Sequence, residues 1–253
     1  MTEATARKPL EDIKPVPVRV GQGAAGSALF ALRRVVDLQL FTIWRVLGPT
    51  LPKLRGSLLD VGCGEMPFRF ALHPDVRYSG IDVEEALAFG MTADSAIRGF
   101  DGRNIPYPDD HFDNILCTEV IEHAADPDQL AREMRRVLKP GGTLVLTVPF
   151  SARVHHAPYD FNRFTRYRLA EMFASFSDAE ITARGNDIAA IANKLIVLTL
   201  RLLRPSLHWV WKLPLAVLVA PVAGAFLLAA HVAIAVGAGS DDDPLGYALI
   251  ATK

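Results

Sequence analysis

Cysteine and net charge are both scarce in this chain. Its 253 residues include only two cysteines, Cys63 and Cys117, and its formal net charge is −1. Two cysteines exclude a disulfide-rich extracellular scaffold and favour reduced thiols inside a cytosolic domain. Nucleic-acid-binding surfaces carry an excess of lysine and arginine, which this balanced charge does not supply. We therefore expect no nucleic-acid partner.

The amino-terminal segment lacks the apolar core of a secretory signal peptide. Its first twenty residues are polar and contain three prolines. We expect residues 1–25 to form a flexible leader. Residues 26–48 then repeat apolar positions at helical spacing and stop at Gly48-Pro49. This pattern predicts an N-terminal amphipathic helix within residues 26–55.

A complete dinucleotide-binding fingerprint is also missing. The apolar run 58–61 predicts a buried strand, and the turn Gly62-Cys63-Gly64 follows it. The pattern G-x-G-x-x-G requires a third glycine where Pro67 stands, which counts against a bound pyrophosphate and a dehydrogenase. A second predicted strand, 76–82, also ends in an acid, at the offset where ribose hydroxyls are bound. These features predict a nucleoside cofactor without a pyrophosphate.

Strand-like and helix-like patterns alternate along the rest of the chain. The predicted strands cover residues 97–101, 112–118, 143–149, 180–184 and 245–252, and the predicted helices begin at Pro67 or cover 128–138 and 166–176. This alternation predicts an α/β fold with a mostly parallel, doubly wound sheet.

Five segments carry a family resemblance. They are LLDVGCGEMPF (58–68), YSGIDV (78–83), DGRNIPYPDDHFDNILCTEVIEHAADP (101–127), LKPGGTLVLTVPF (138–150) and DPLGYALIATK (243–253). In this order and spacing the chain resembles the class I S-adenosylmethionine-dependent methyltransferases, specifically the broad methyltransferase-domain family called type 11. The resemblance implies a Rossmann-like, seven-stranded sheet over residues 56–187. It also implies an antiparallel last strand within 241–253 and S-adenosylmethionine as cofactor.

The resemblance also implies roles for the residues at the strand ends. Asp82 binds the ribose hydroxyls, whereas Asp101 and Gly102 contact the adenine. The remaining implied cofactor-binding residues are Asp60, Gly62, Gly64 and Glu119. For Asp101 an alternative stays open, because an aspartate beside a glycine also stabilises a turn.

The acceptor side begins with Glu119-Val120-Ile121-Glu122-His123. In some relatives an element of this form ligates a divalent metal, so Glu119, Glu122, His123 and His156 form an alternative metal set. We expect no metal by default, with His123 and His156 as candidate general bases. A further alternative is that Glu122 and His123 cap the next helix.

The stretch 155–167 is dense in aromatic, acidic and basic groups. Core packing does not require this mixture, and the stretch resembles a segment near the acceptor in relatives associated with cell-surface glycan and lipid biosynthesis. We expect Tyr159, Asp160 and Arg163 to contact the substrate, and Thr165 to cap the following helix.

Charged residues are absent from residues 213–240, a run long enough to span a bilayer. Because the last strand belongs to the catalytic sheet, both ends of the run must lie on one side of a membrane. We expect Pro214, Pro221 and Gly224 to bend this run into a hairpin, so that 188–240 is a membrane-associating insertion. The alternatives are a buried helical subdomain and an oligomer interface.

These features predict a methyltransferase on the cytoplasmic side of a membrane. The expected reaction is O-methylation of a glycan-linked or membrane-associated acceptor, such as a membrane lipid or glycan-lipid. One alternative is a small-molecule O-methyltransferase acting on a quinone-like metabolite. Another is a noncatalytic membrane-tethered scaffold. The acceptor and the oligomeric state do not follow from the residues.

Overall fold

The fold is built on one seven-stranded sheet. A computed structural model describes residues 13–21, 23–91, 97–205 and 209–253. The strands lie in the order β3-β2-β1-β4-β5-β7-β6. Their bounds are β1 Ser57–Val61, β2 Arg77–Asp82, β3 Ile97–Gly99, β4 Phe112–Thr118, β5 Leu138–Pro149, β6 Ser177–Arg184 and β7 Gly246–Thr252.

The strand directions match the predicted fold. Strands β1 to β5 pair in parallel, with Leu58 opposite Tyr78 in the β1–β2 pair. The last strand, β7, runs antiparallel to both of its neighbours and places Leu249 between Leu146 and Ile181. The Rossmann-like, doubly wound sheet with an antiparallel last strand is therefore confirmed.

Helices cover both faces of this sheet. They are α1 Gly23–Val36, α2 Leu38–Thr50, α3 Pro127–Val137, α4 Arg166–Met172, α5 Asp187–Leu203 and α6 Trp209–Val236. Leu59 and Ile115 belong to the apolar cluster that contains residues of α3 and α4, whereas Leu58 and Leu116 belong to the cluster that contains α2. Alternate residues of each central strand are thus buried on opposite faces, as expected of a parallel sheet.

The N-terminal region differs from the expected single amphipathic helix. It forms two helices, because the Asp37 side chain accepts a hydrogen bond from the Leu40 N–H and caps a new helix there. This second helix continues through Gly48-Pro49 to Thr50.

Two further segments differ from expectation. Of the expected flexible leader, residues 1–12 and 22 lie outside the described residues. Residues 13–21 form neither helix nor strand, and their Val18 and Val20 pack against the α2 cluster. The helix expected from Pro67 is only a short 3₁₀ turn, Arg69–Ala71.

The hydrophobic insertion is a helical hairpin, but its turn is not at the prolines. Helix α6 continues through Pro214 and Pro221 and packs against the preceding helix α5. A proline removes one helical hydrogen bond and bends a helix, but bending alone does not reverse the chain.

The two ends of the hairpin meet beside the sheet. Asn186 Nδ2 donates to the Ala238 carbonyl at 2.7 Å, and the Asp187 N–H donates to the Ser240 carbonyl at 3.0 Å. Within the described part of the chain, one helix, Val210–Val236, is long and apolar enough to cross a membrane, with a mean hydropathy of 2.3.

Candidate active site

A cavity of about 370 Å³ opens at the carboxyl ends of β1, β2 and β4. Ligands bind at this edge of open α/β sheets, and the volume falls in the range of small-molecule sites. Six of the seven predicted cofactor-binding residues line this cavity: Gly62, Gly64, Asp82, Asp101, Gly102 and Glu119.

Asp82 holds the glycine turn against the end of β2. Its Oδ2 accepts from the Gly64 N–H at 2.7 Å, and its Oδ1 accepts from the Val83 N–H at 2.8 Å. Gly62 has φ +67°, and a Cβ there would meet Val120 Cγ2 at 2.5 Å. The turn therefore requires glycine because of its backbone conformation and because Val120 fills the space beside it.

Asp60 is a buried residue of β1 and does not line the cavity. Its Oδ2 accepts from the Tyr78 hydroxyl at 2.7 Å. Burial raises the pKa of this carboxyl to about 7, and burial also raises the pKa of Asp82. Sequence reasoning did not find Tyr78, because a strand tyrosine carries no signal of its hydroxyl partner. Through Tyr78, Asp60 thus links β1 to β2.

Asp101 both lines the cavity and stabilises its own turn. Its Oδ1 accepts from the Arg103 and Asn104 N–H groups at 2.8 and 2.6 Å, and its Oδ2 accepts from Asn104 Nδ2 at 2.7 Å. These hydrogen bonds lower the pKa of the exposed Asp101 carboxyl, and the bond from the Asn104 N–H has the largest effect. Asp101 therefore stabilises a turn, as the alternative expected, and it also lies at the cavity.

Glu119 is paired with a cation that sequence reasoning missed. Its Oε1 accepts from Arg184 Nη2 at 2.7 Å, and the Arg184 side chain is fully buried. Burial raises the pKa of Glu119, although the guanidinium opposes this effect. The only signal in the chain is an arginine at the end of a predicted strand, which is not specific enough to predict this pair.

The predicted acceptor side holds a cluster of one carboxylate and three imidazoles. Glu122 Oε1 lies 3.5 Å from His123 Nε2 and 3.7 Å from His155 Nε2. The rings of His123 and His156 are 5.3 Å apart. The cluster therefore differs from the alternative metal set predicted above. Glu119 is paired with Arg184, and His155 rather than His156 lies beside Glu122.

The helix-capping alternative for this element is wrong. Glu122 and His123 lie in a single 3₁₀ turn, Ile121–His123. The cap of α3 is Asp126, whose side chain accepts from the Gln129 N–H at 2.9 Å.

The three predicted substrate residues divide between the cavity and its supporting loop. Tyr159 lines the cavity, together with His123 and His156. Asp160 and Arg163 instead form a bidentate ion pair at 2.6 and 2.7 Å, and the Asp160 side chain is only 1% exposed. This ion pair stabilises the loop. Neither Asp160 nor Arg163 lines the cavity.

The cavity fits a nucleoside that carries an amino-acid tail. Asp82 presents carboxylate oxygens where ribose hydroxyls would donate, and Val83, Met91 and Phe100 supply an apolar wall for a base. The glycine turn leaves its backbone open to the tail. Asp82, the glycine turn and this wall would therefore hold S-adenosylmethionine.

The segment that carries this site matches a known protein family. Residues 59–146 match the family model described as "Methyltransferase domain", and this segment includes the glycine turn, Asp82, Asp101 and the acceptor element. The chain contains a class I S-adenosylmethionine-dependent methyltransferase domain.

Relatives of this methyltransferase domain act on different acceptors. It is similar to the 27-O-demethylrifamycin SV methyltransferase of Amycolatopsis mediterranei (strain S699), with 35% identity over 40% of this chain and 41% of that protein. It is also similar to the malonyl-[acyl-carrier protein] O-methyltransferase of Alcanivorax borkumensis, with 28% identity over 54% of this chain and 56% of that protein. The chain thus spans about half or less of the length of these curated relatives.

Solved structures support the fold of the methyltransferase domain. The [4+2]-cyclase SpnF aligns over 85% of this chain and 81% of that one, with a TM-score of 0.51 and 20% identity. Haemonchus contortus phosphoethanolamine N-methyltransferase 2, in complex with S-adenosyl-L-methionine, aligns over 90% of this chain and 57% of that one, with a TM-score of 0.50 and 17% identity. At these identities the likeness shows the fold alone.

Replacing Asp82 tests the cofactor site of the methyltransferase domain. Asp82→Ala removes an acceptor for the ribose and the support of the glycine turn. Charge-assisted hydrogen bonds contribute about 1.5–3 kcal/mol each, so we expect S-adenosylhomocysteine to bind roughly 100-fold more weakly or worse. Calorimetric titration measures this change. The matched control, Asp75→Ala, alters an exposed aspartate before β2 and should bind as the wild type does; equal affinity in all three proteins would contradict the assignment.

The raised pKa of Asp60 predicts a pH-dependent stability. From pH 3.8 to about 7 the folded carboxyl keeps a proton that the unfolded chain has released. The free energy of unfolding therefore falls as pH rises through this window. In the wild type this effect lowers the free energy of unfolding by up to roughly 4 kcal/mol between the unfolded and folded pKa values of Asp60. Asp60→Asn has no carboxyl at this position and should not show this loss of stability.

Urea unfolding of the ligand-free protein at pH 5 and pH 8 measures this difference. The wild type should lose more stability than Asp60→Asn between these two pH values. Asp75→Asn, at an exposed site, should keep the wild-type pH dependence. If Asp60→Asn lost as much stability between pH 5 and pH 8 as the wild type, Asp60 would not be the source of the pH dependence.

Proposed function

We propose that this protein transfers the methyl group of S-adenosylmethionine to an oxygen atom of a membrane-associated acceptor. The acceptor class is a membrane lipid or a glycan-linked lipid, and the catalytic domain lies on the cytoplasmic side. One observation carries this proposal. The apolar hairpin α5–α6 begins and ends at the same sheet edge as the cofactor cavity.

Arg184 joins the cavity to the base of the hairpin. It is the last residue of β6, pairs with the cavity residue Glu119, and stands two residues before Asn186, the N-cap of α5. On the other side of the hairpin, β7 begins at Gly246, opposite Arg184. The hairpin therefore leaves the sheet and returns to it beside the cavity.

The surface of the hairpin is suited to lipid. Its large apolar side chains are exposed along α6, including Trp211 at 83%, Val217 at 69% and Leu218 at 69%. Removing such side chains from water contributes about 1.5–3 kcal/mol each, so a surface that exposes many of them favours an apolar partner. These exposed residues support burial of α6 in a bilayer.

The distal end of the hairpin has the composition of a lipid interface. Arg201, Arg204 and Lys212 lie there together with Trp211. Indole rings favour the membrane–water boundary, and long cationic side chains reach from apolar surface toward lipid headgroups. Charge and aromatic placement thus support a lipid partner over a purely apolar protein partner.

Helix α1 extends the apolar surface of the hairpin. Leu29 and Leu32 are exposed on α1 at 64% and 63%. The end of α1 contacts α6, because His231 Nε2 lies 2.8 Å from the Val35 carbonyl. A membrane-bound orientation would place α1 beside the hairpin at the lipid boundary.

S-adenosylmethionine, held by Asp82 and the glycine turn, would supply its methyl group to the acceptor oxygen while the C–S electron pair returned to sulfur. The protein must hold the two reactants in line and accept the hydroxyl proton. His156 lines the cavity and is the proposed proton acceptor. His123 also lines it, but its Nδ1 is hydrogen-bonded to the Tyr159 carbonyl at 2.8 Å.

A small hydrophobic metabolite is the second candidate acceptor. Tyr159 and Phe161 line the cavity and are 40% and 52% exposed. Such rings can pack against a flat apolar molecule at the cavity mouth. The name of the rifamycin relative supports this candidate, because that protein is a methyltransferase for a small molecule.

Membrane binding of the hairpin is tested with an acidic pair on α6. Val217→Glu combined with Leu218→Glu places two carboxylates on its exposed face, where burial in hydrocarbon costs several kcal/mol. The wild type should float with vesicles of phosphatidylcholine and phosphatidylglycerol, and the double variant should bind at least about tenfold more weakly. Tyr167→Glu, an exposed aromatic on α4, is the matched control and should float as the wild type does.

Two outcomes would overturn the membrane part of the proposal. One is wild-type protein that folds and binds S-adenosylhomocysteine but does not float. The other is a self-association that the acidic pair abolishes while vesicle binding stays unchanged, which would make α6 an interface between copies.

Methyl transfer is tested with labelled S-adenosylmethionine and extracted membrane lipids. We expect labelled lipid product, and His156→Ala should lower kcat by about 10²–10⁴ because a positioned base is lost. The affinity for S-adenosylhomocysteine should change little. His111→Ala, outside the cavity, is the control. Label in small metabolites alone would favour the second candidate, and cofactor binding with no product from either source would favour a scaffold.

A further inference from the structure

Glu122 is a buried carboxylate without hydrogen-bonded oxygens. Its side chain is 0% exposed, and neither Oε1 nor Oε2 has a hydrogen-bond partner among the described residues. Its main chain is fixed, because its carbonyl accepts from the Phe161 and Asn162 N–H groups at 3.0 and 3.1 Å. Burying a carboxylate is unfavourable unless it is hydrogen-bonded, paired with a cation or bound to a metal ion.

Two imidazoles turn the same nitrogen toward this carboxylate. His123 Nδ1 lies 2.8 Å from the Tyr159 carbonyl, so Nδ1 carries the proton in this hydrogen bond. His155 Nδ1 lies 3.2 Å from the Arg153 carbonyl and 3.3 Å from Asp160 Oδ2, which assigns its proton in the same way. Both Nε2 lone pairs therefore face Glu122, as in histidines that bind metals through Nε2.

The separations suit an ion better than direct hydrogen bonds. Glu122 Oε1 lies 3.5 and 3.7 Å from the two Nε2 atoms, beyond normal hydrogen-bond length. Ligand atoms about 2.0–2.1 Å from a tetrahedral ion stand about 3.3 Å apart. The ligating atoms of Glu122, His123 and His155 all lie within 4.8 Å of one another, and His123 Nε2 has no hydrogen-bond partner among the described residues.

We propose that Glu122, His123 and His155 bind one divalent transition-metal ion of the zinc class. Two imidazoles and one carboxylate are a zinc-type ligand set, whereas Mg²⁺ prefers oxygen ligands. Three protein ligands leave a coordination position open. Because His123 also lines the cavity, the proposed site adjoins the cavity.

Asp160 and Arg163 acquire a role in this arrangement. Asp160 approaches His155 Nδ1 and also accepts from the His155 N–H at 2.9 Å. Arg163 holds both oxygens of Asp160 in turn. A carboxylate behind a ligating histidine fixes its ring and tautomer, so this ion pair orients the metal ligand.

The open position would take the acceptor oxygen. A bound ion lowers the pKa of a hydroxyl group that it ligates and fixes its direction. This role rests on the proposed O-methylation, but binding of the ion does not. The two are therefore tested separately.

Zinc binding is measured by titrating metal-free protein in competition with a chromophoric chelator. We expect one ion per chain for the wild type. Glu122→Gln and His155→Ala should each bind zinc about 100-fold more weakly or worse, because the first replaces an anionic ligand with a neutral amide and the second removes an imidazole. His73→Ala, at a histidine beside Asp75 and away from the cluster, should keep the wild-type affinity. Mg²⁺ should not displace the zinc.

S-adenosylhomocysteine titration shows whether each variant is folded, because neither Glu122 nor His155 lines the cofactor cavity. The visible spectrum of Co²⁺-loaded wild type provides a second measurement that needs no variant, and it should show nitrogen and oxygen ligands at low coordination number. Folded wild type that binds no zinc would overturn the proposal, as would equal zinc affinity in Glu122→Gln and His73→Ala. Zinc binding without methyl transfer to any acceptor would leave the site in place and refute only the proposed reaction.

Discussion

The buried guanidinium of Arg184 holds the catalytic edge of this protein together. It donates to the Val148 carbonyl at 2.9 Å, to the Tyr247 carbonyl at 3.2 Å and to Glu119 at 2.7 Å. A fourth hydrogen bond, at 3.3 Å, reaches Thr42 on α2. Burying this ion pair costs desolvation energy, which the many hydrogen bonds to one rigid, planar group offset.

This one side chain constrains elements that are far apart in sequence. It joins the ends of β4, β5 and β6 to the start of β7, and it stands at the entrance to the apolar hairpin. Gly246 must be glycine here, because a Cβ would lie 2.2 Å from the Val148 carbonyl oxygen and 2.3 Å from Arg184 Nη2. Arg184 therefore contributes to the position of the hairpin relative to the cavity, together with the β6–β7 pairing and the hydrogen bonds at the base of the hairpin.

The cofactor side and the acceptor side are built differently. The cofactor side uses backbone: a left-handed glycine turn and a strand-end carboxylate that binds two N–H groups. The acceptor side uses side chains, in which a carboxylate, three imidazoles and the Asp160–Arg163 pair support one another across a loop. A common fold can thus keep one cofactor while its acceptor side changes, since the two sides depend on different parts of the chain.

The fold and the cofactor side could be predicted because their signals are local. The apolar strands, the Gly62-Cys63-Gly64 turn and the acid at Asp82 are contiguous patterns, and their order determined the topology and the cavity edge. The sequence by itself also determined that an apolar insertion must leave and re-enter the same sheet. Only the tertiary structure decided that α1 and α2 separate at Asp37, that α6 passes through its prolines, and that His155 rather than His156 joins Glu122. The separation at Asp37 is a local helix cap that the apolar periodicity does not reveal. The course of α6 along α5 and the approach of His155 to Glu122 depend on packing and contacts between residues distant in sequence. The pairing of Arg184 with Glu119 does so too, and no local pattern encodes such contacts.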